Sequence, residues 1–162
     1  LASPIFKKGC CGMNFDYLAR KPFWDRGLDF NHGTGHGVGY LLNIHEGPAG
    51  FRYTYRAGES DAFQPGMVIT DEPGIYIEGS HGVRLENELL VREGEKNEYG
   101  EFLYFETITY VPFDLDAINP DIMNAEDKER LNTYHATVYE KVSPYLNDEE
   151  KEWLKKYTRA IQ

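Results

Sequence analysis

The stretch from Asn31 to Pro48 reads NHGTGHGVGYLLNIHEGP, and glycine occupies every second position from 33 to 39. Each glycine inside a helix costs about 1 kcal/mol relative to alanine, so the stretch is predicted to be extended or looped. Side chains alternate in an extended chain. One face would then be formed by His32, Thr34, His36, Val38 and Tyr40. The glycine face lacks side chains, so another backbone, a substrate or a metal site can approach it closely.

Three of the five histidines in the chain, His32, His36 and His45, lie in this stretch. A single histidine in a glycine-rich loop is more often a hydrogen-bonded structural residue than a ligand. Three imidazoles in one segment, followed by carboxylates further along the chain, favour a catalytic or metal-binding site. Imidazole binds transition metals and exchanges protons near neutral pH, and such a site requires both properties.

The composition is that of a globular domain without a nucleic-acid or membrane partner. Apolar residues make up 41% of the 162 residues and aromatic residues 14%, so the chain can bury a core. A net charge of −10 argues against nucleic acid and anionic membranes, because both require a basic surface. No apolar run approaches the roughly 20 residues of a membrane span. The two cysteines, Cys10 and Cys11, are adjacent and predict no disulfide framework, which favours the cytoplasm.

Helical and strand patterns both occur, which predicts an α+β fold. A short helix is expected between Gly12 and Gly27, with Phe15, Leu18 and Ala19 facing inward. Three strands are expected at Met67–Thr70, Val83–Val91 and Phe102–Val111.

Two further helices are predicted in the C-terminal third. Asn124 is a candidate N-cap for the first, which Pro144 would end, and His135 is expected to be a packed or surface residue of that helix. Asn147 and Glu150 form a candidate capping box for the second.

A pair of glutamates emerges when the two central strands are paired. A hairpin centred on Gly79 joins residues whose numbers add up to 158, so that Glu72 faces Glu86. Facing Cβ atoms lie about 4.5–5.5 Å apart, where two negative charges repel unless a cation or a shared proton lies between them. Arg84, on the same strand face as Glu86, supplies one positive charge. A different register would leave both glutamates solvated, and Glu88 is a weaker candidate on that face.

These side chains predict a metal site. Carboxylate combined with imidazole suits Mn²⁺, Zn²⁺ or Fe²⁺ better than Ca²⁺, which prefers oxygen ligands. One histidine and two glutamates could hold a single hydrolytic metal with an open position, which lowers the pKa of bound water toward about 7. The other histidines would then move protons.

Four motifs occur in order: HGTGHGVG at 32–39, NIHEGP at 43–48, TDEPG at 70–74 and RLEN at 84–87. Together they resemble Xaa-Pro aminopeptidase, or aminopeptidase P, of the creatinase and methionine aminopeptidase superfamily. The resemblance covers nearly the whole chain. Prolidases share the layout, but NIHEGP lies two residues further along than in prolidase, which is similar to the long, multidomain type of aminopeptidase P.

The resemblance implies the C-terminal half of a pita-bread catalytic domain, an antiparallel sheet with flanking helices. Residues 1–30 would be a helical lead-in, 31–112 the sheet with the active-site motifs, and 113–162 the C-terminal helices. The complete domain would carry two Mn²⁺ ions, with Zn²⁺ or Co²⁺ as alternatives, that share a bridging water. His36 and Glu72 are implied as ligands of one ion, and Glu86 as a bridge between both.

The same resemblance implies the catalytic roles. Glu72 would also orient or deprotonate the nucleophilic water. His32 and His45 would bind the scissile carbonyl or the leaving proline nitrogen and shuttle protons, and Arg84 would hold the ligand carboxylates in place. The implied reaction removes the N-terminal residue of a peptide that has proline in second position, and a homodimer is the implied assembly.

The chain departs from the family at one point. The family's other two metal ligands are aspartates on an earlier part of the domain, and a further substrate histidine also lies upstream. Asp16, Asp25 and Asp29 occur in helical or loop contexts that do not match. The chain is therefore expected to be a fragment that is inactive alone, because the missing N-terminal half would complete the site.

Three other functions stay open at this point. The first is a non-catalytic pita-bread module that binds peptides or proteins, which the missing aspartates motivate. The second is a prolidase-type dipeptidase, and the third is a structural domain with a single metal.

Overall fold

The computed structural model describes residues 1–162 and contains three α-helices and six β-strands, which confirms the predicted α+β class. The helices are α1 (Asp16–Trp24), α2 (Ala125–Val142) and α3 (Asp148–Tyr157). The strands are β1 (Ile5–Lys7), β2 (Val68–Asp71), β3 (Gly74–Ile77), β4 (His81–Arg84), β5 (Asn87–Asn97) and β6 (Gly100–Thr107). Contacts divide the chain into two compact units, Leu1–Thr109 and Tyr110–Gln162. No helix combines the length and the apolar character that a bilayer crossing demands.

The first unit contains an antiparallel four-stranded sheet in the order β1-β6-β5-β2 and a separate hairpin of β3 and β4. The β2–β5 and β3–β4 pairings follow the predicted register. Asp71 pairs with Asn87 and Gly74 with Arg84, so the numbers of paired residues add up to 158 in both ladders. Gly79 lies in the turn with φ of 71°. The predicted strand Val83–Val91 is interrupted between β4 and β5, where Glu86 lies, and Glu72 lies at the matching interruption between β2 and β3.

The glycine stretch runs along the free edge of β2 without forming a regular strand. Backbone hydrogen bonds join Glu72 N to Thr34 O at 2.8 Å, Thr70 N to His36 O at 2.9 Å, and Val38 N to Val68 O at 2.9 Å. A Cβ atom added to Gly35 would lie 1.8 Å from the Thr70 carbonyl oxygen. The predicted close approach of another backbone to the glycine face is therefore confirmed at this position.

Phenylalanine dominates the core of the first unit. The aromatic residues of the core cluster are Phe6, Phe15, Phe51, Phe63 and Phe105, packed with Ile69, Leu89, Val91 and Leu103. Their rings meet mostly edge to face, as for Phe6 and Phe15 with centroids 4.9 Å apart. Burying one such side chain contributes about 1.5–3 kcal/mol, so this cluster is the main apolar support of the sheet.

The predicted inner face of α1 is correct at Phe15 and wrong at Leu18. Leu18 is 53% exposed, whereas Asp16 and Arg20 are fully buried. The two form an ion pair in which Arg20 Nε donates to Asp16 Oδ2 at 2.7 Å. A hydrophobic pattern cannot register this arrangement, because charged residues are buried only where each charge is fully hydrogen-bonded.

The second unit contains α2 and α3, and the cap residues predicted for both are confirmed. Asn124 Oδ1 accepts from Asp127 N at 2.9 Å, and Asn147 and Glu150 form the capping box. His135 lies on the inner face of α2 with no exposed surface, and its Nε2 accepts a hydrogen bond from Phe113 N at 3.0 Å.

Replacing Gly35 by alanine is expected to lower the free energy of unfolding by about 1–3 kcal/mol, because the added Cβ overlaps the Thr70 carbonyl. Gly33→Ala is the matched control, since its Cβ would meet only the flexible end of Arg52, at 2.9 Å. Urea unfolding followed by circular dichroism measures both variants. Equal losses for the two alanines would contradict the close approach at Gly35.

Burial lowers the pKa of His135. A hydrogen bond with the Arg159 backbone raises this pKa, and the positive charge of Arg159 lowers it further. The unfolded chain, with an ordinary histidine pKa of 6.5, therefore takes up a proton more readily than the folded chain. We expect the second unit to lose stability as pH falls from 6.5 through the lowered folded pKa. His135→Gln should weaken this dependence, and the exposed His81→Gln should not. Urea unfolding monitored by Trp153 fluorescence in a Trp24→Phe background tests this, and identical pH dependence in His135→Gln would refute it.

Candidate functional site

Most of the predicted site residues meet in one small cleft of about 180 Å³ in the first unit. It is lined by His32, Gly33, Gly35, His36, His45, Arg52, Glu72, Tyr76 and Arg84. All three histidines of the glycine stretch are present, as are Glu72 and Arg84. A larger cavity of about 580 Å³ contains no histidine and is lined in part by Val38, Ile69 and Glu88. The structure thus places Glu88 away from the cleft.

His36 and Glu72 face each other in this cleft. His36 Nδ1 lies 2.9 Å from the Gly37 carbonyl oxygen, which can only accept a hydrogen bond, so Nδ1 carries the proton. Its Nε2 lies 3.2 Å from Glu72 Oε1. Two acceptors at this separation require a proton or a cation between them. Metal–nitrogen and metal–oxygen bonds of about 2.0–2.2 Å would span such a gap, so these two side chains fit a divalent metal.

Thr70 holds both of these side chains in place. Its hydroxyl donates to Glu72 Oε1 at 2.9 Å and accepts from His36 N at 3.0 Å. It is nearly fully buried, at 3% exposure. Sequence reasoning did not single out this threonine, although it stands two residues before Glu72 on the same face of the strand.

Arg84 lies between the two glutamates that the register brings together. Its Nε is 3.8 Å from Glu72 Oε2 and 3.4 Å from Glu86 Oε2. The predicted repulsion is therefore relieved by this guanidinium. Glu86 does not line the cleft, and the structure contains no group of three His, Cys, Asp or Glu side chains gathered closely enough to hold a metal ion.

His32 contacts a tyrosine that sequence reasoning missed. Its Nδ1 lies 2.7 Å from the Gly33 carbonyl oxygen, so Nε2 is free to accept from the Tyr76 hydroxyl at 3.0 Å. Arg84 Nη1 lies 3.5 Å from the same hydroxyl, and Tyr76, followed by Glu86, raises the pKa of Arg84. The register could have indicated Tyr76. Arg84 pairs with Gly74, and Tyr76 is two residues further along the same strand, so its side chain lies on the same face as that pair.

His45 reaches the cleft from a short loop. Its ring centroid lies 4.2 Å from that of His36. Backbone bonds from Gly39 N to Asn43 O at 2.8 Å and from Glu46 N to Gly37 O at 2.9 Å close the loop at its base. Its tip is exposed and includes Tyr40, Leu41 and Leu42, the two leucines with φ of 52° and 64°.

The prediction that five alternate side chains share one face is wrong at three of them. Thr34 is buried and donates to Asp16 Oδ1 at 2.6 Å, away from the cleft. Val38 lines the larger cavity, and Tyr40 is 93% exposed. The stretch does not continue as a straight strand. Thr34 is bonded to Asp16, Val38 to β2, and Gly39 to Asn43 in the following loop.

Most of the chain matches two regions of one family. Residues 2–93 match the metallopeptidase family M24, and residues 101–161 match the C-terminal region of peptidase M24. The chain belongs to metallopeptidase family M24. The predicted resemblance and the pita-bread α+β fold are therefore confirmed.

Within family M24 the chain is similar to proteins named for proline-directed aminopeptidases. Aminopeptidase P1 of Arabidopsis thaliana is 43% identical over 99% of this chain and 25% of its own length. The crystal structure of X-prolyl aminopeptidase from Caenorhabditis elegans, described as a cytosolic enzyme with a di-nuclear active site, gives a TM-score of 0.87 at 35% identity over 99% of this chain and 26% of its own. A prolidase from Pyrococcus furiosus gives 0.50 at 33% identity over 67% of this chain and 28% of its own. The M24 chain thus spans about a quarter of the length of the relatives that cover it fully.

If the complete protein uses His36 as a direct ligand, as predicted, His36→Ala is expected to weaken Mn²⁺ binding by at least about 100-fold, because this loss should cost no less than loss of the partners that orient a ligand. His81→Ala is the matched control, since His81 is exposed on β4 and lies outside the cleft. Isothermal titration calorimetry measures both variants. Unchanged affinity in His36→Ala would rule this residue out as a ligand.

Proposed function

We propose that the complete protein is a metal-dependent aminopeptidase that removes the N-terminal residue from peptides with proline in second position. The observation that carries this proposal is the convergence of His32, His36, His45 and Glu72 on one cleft, with His36 Nε2 and Glu72 Oε1 3.2 Å apart. The Arabidopsis and nematode relatives support the substrate class.

The residues of this chain fit a divalent metal, for which we propose Mn²⁺, with Zn²⁺ or Co²⁺ as alternatives. His36 and Glu72 would hold it, and Glu86, which contacts Arg84, would be shared with a second ion in the complete domain. When bound, the metal supplies Lewis acidity and lowers the pKa of a coordinated water. The di-nuclear site of the nematode relative supports two ions.

The other side chains act on the substrate and on protons. Glu72 accepts a proton from the attacking water. The Nε2 atom of His32 faces the cleft and accepts from the Tyr76 hydroxyl, so it can bind the peptide and pass a proton through Tyr76. His45 binds the scissile carbonyl or the leaving proline nitrogen from the exposed loop. Arg84 holds the two glutamate side chains in place through its ion pairs with both.

Several features of the complete protein belong to the same proposal. The N-terminal half of the domain would supply the two aspartate ligands that this chain lacks, so the chain alone would be inactive. The assembly would be a homodimer in the cytoplasm, and the cytosolic nematode relative supports that location. A prolidase-type dipeptidase is the second candidate, favoured by the 33% identity to the Pyrococcus prolidase.

The complete protein with Mn²⁺ should cleave an Xaa-Pro-Yaa tripeptide between the first two residues, and Glu86→Gln should abolish this cleavage because it removes a metal-bridging carboxylate. Glu93→Gln, an exposed glutamate on β5, is the matched control. Product analysis by mass spectrometry measures both variants. Full activity of Glu86→Gln would show that Glu86 does not bridge the two metal ions.

The choice of substrate separates the candidate functions. If the protein cleaves Xaa-Pro dipeptides but not longer peptides, its function is that of a prolidase-type dipeptidase and not of an aminopeptidase. Peptide binding without turnover, in a protein loaded with metal, would replace both by a non-catalytic module.

A further inference from the structure

A buried arginine of α1 binds the backbone of the histidine stretch. Arg20 has no exposed side-chain surface. Its Nη2 donates to the His32 carbonyl oxygen at 2.6 Å, and its Nη1 donates to the Phe30 carbonyl oxygen at 2.7 Å. One side chain therefore holds two alternate carbonyl groups of the segment that carries a proposed catalytic histidine.

Two carboxylates complete this network. Arg20 Nε donates to Asp16 Oδ2 at 2.7 Å, and Nη1 also donates to Asp29 Oδ1 at 2.6 Å. The second oxygen of Asp16 accepts from the Thr34 hydroxyl at 2.6 Å. Burial alone would raise the pKa of Asp29, but hydrogen bonds from Trp24, the backbone of Phe30 and Arg20 lower it. Both carboxylates are thus held by donors, and Asp16 extends the network to Thr34.

Aromatic rings hold the guanidinium in a fixed plane. The carbon at its centre lies 4.0 Å from the ring centroid of Phe30 and 4.6 Å from that of Tyr53. A planar fork with several donors suits this place, whereas an ammonium group provides neither the plane nor the fork. The site therefore requires arginine and not merely a positive charge.

The segment needs such a support because of its own sequence. Gly33 and Gly35 flank Thr34, and glycine leaves the backbone more conformational freedom than any other residue. The His32 imidazole is bonded to its neighbour, the Gly33 carbonyl, so the position of the ring follows the local backbone. A displaced His32 carbonyl would move the ring away from Tyr76 and out of the cleft.

We propose that Arg20 is a positioning residue, which acts through the His32 carbonyl and the Asp16–Thr34 bond to fix the His32 imidazole in the cleft. This inference rests on the proposed function for its catalytic consequence. Its structural consequence, an ordered segment 32–36, can be measured without any substrate.

The kinetic test uses Arg20→Lys in the complete protein with an Xaa-Pro-Yaa peptide. We expect kcat to fall by about 100-fold, since a small misplacement of a reacting group has an effect of this size. KM should change less than kcat, because His45 and the proposed metal site still bind the substrate when His32 is displaced. Lys21→Ala is the control, as it removes an exposed ion pair with Asp25 from the same helix.

A double-mutant cycle decides whether Arg20 acts through His32. If it does, adding Arg20→Lys to His32→Ala causes little further loss of kcat. Losses that multiply, or an unchanged kcat per folded molecule in Arg20→Lys, would overturn the proposal.

Hydrogen exchange measured by mass spectrometry provides the second readout. In Arg20→Lys, amides 32–36 should exchange at least about tenfold faster while β5 and β6 keep their protection, because local opening is independent of global unfolding. Equal loss of protection in residues 32–36, β5 and β6 would contradict the proposal, because Arg20 would then stabilise the whole unit and not this segment. If the wild-type protein cleaves no Xaa-Pro peptide, the proposed function fails, and exchange alone decides the role of Arg20.

Thr34→Val tests the same network should Arg20→Lys not fold. It removes the hydroxyl that donates to Asp16 and leaves all charges in place. We expect faster exchange of residues 32–36 and a smaller fall in kcat, with both restored in Thr34→Ser. Wild-type exchange and kcat in Thr34→Val would contradict the proposal.

Discussion

The backbone pairing between the glycine stretch and β2 is the constraint on which the site depends. It sets Thr34 opposite Glu72 and His36 opposite Thr70, so an imidazole and a carboxylate from distant parts of the chain meet. The pairing is possible because Gly35 leaves room for the Thr70 carbonyl. The glycine pattern and the chemistry of the site therefore have one physical cause.

His32 and His36 use the same local device for two different purposes. Each directs Nδ1 to the carbonyl of the following glycine, which leaves Nε2 turned toward the cleft. The Nε2 of His36 faces the carboxylate of Glu72, whereas that of His32 faces the hydroxyl of Tyr76. Their surroundings thus suit one ring for a cation and the other for a proton.

Sequence reasoning succeeded where a single geometric rule extends over many residues. One turn at Gly79 sets the register of both ladders, and from it the approach of Glu72 and Glu86 follows. Sequence reasoning failed where tertiary contacts determine which side chains are buried. The inner face of α1 carries Arg20 and not Leu18, because a fully hydrogen-bonded ion pair takes the place of an apolar contact. No periodic pattern contains that information.

The loop between Gly39 and Glu46 carries His45 near its C-terminal end, and its tip at residues 40–42 separates His36 from His45 in the sequence. Backbone hydrogen bonds close the base of the loop, whereas Tyr40, Leu41 and Leu42 at its tip are exposed. Insertions or deletions at such a tip change its length and leave the base unchanged. The number of residues between His36 and His45 can therefore vary, as the predicted difference from prolidase requires, while the closed base keeps the two rings neighbours. The tip is a place where the surface around the cleft can evolve independently of the chemistry within it.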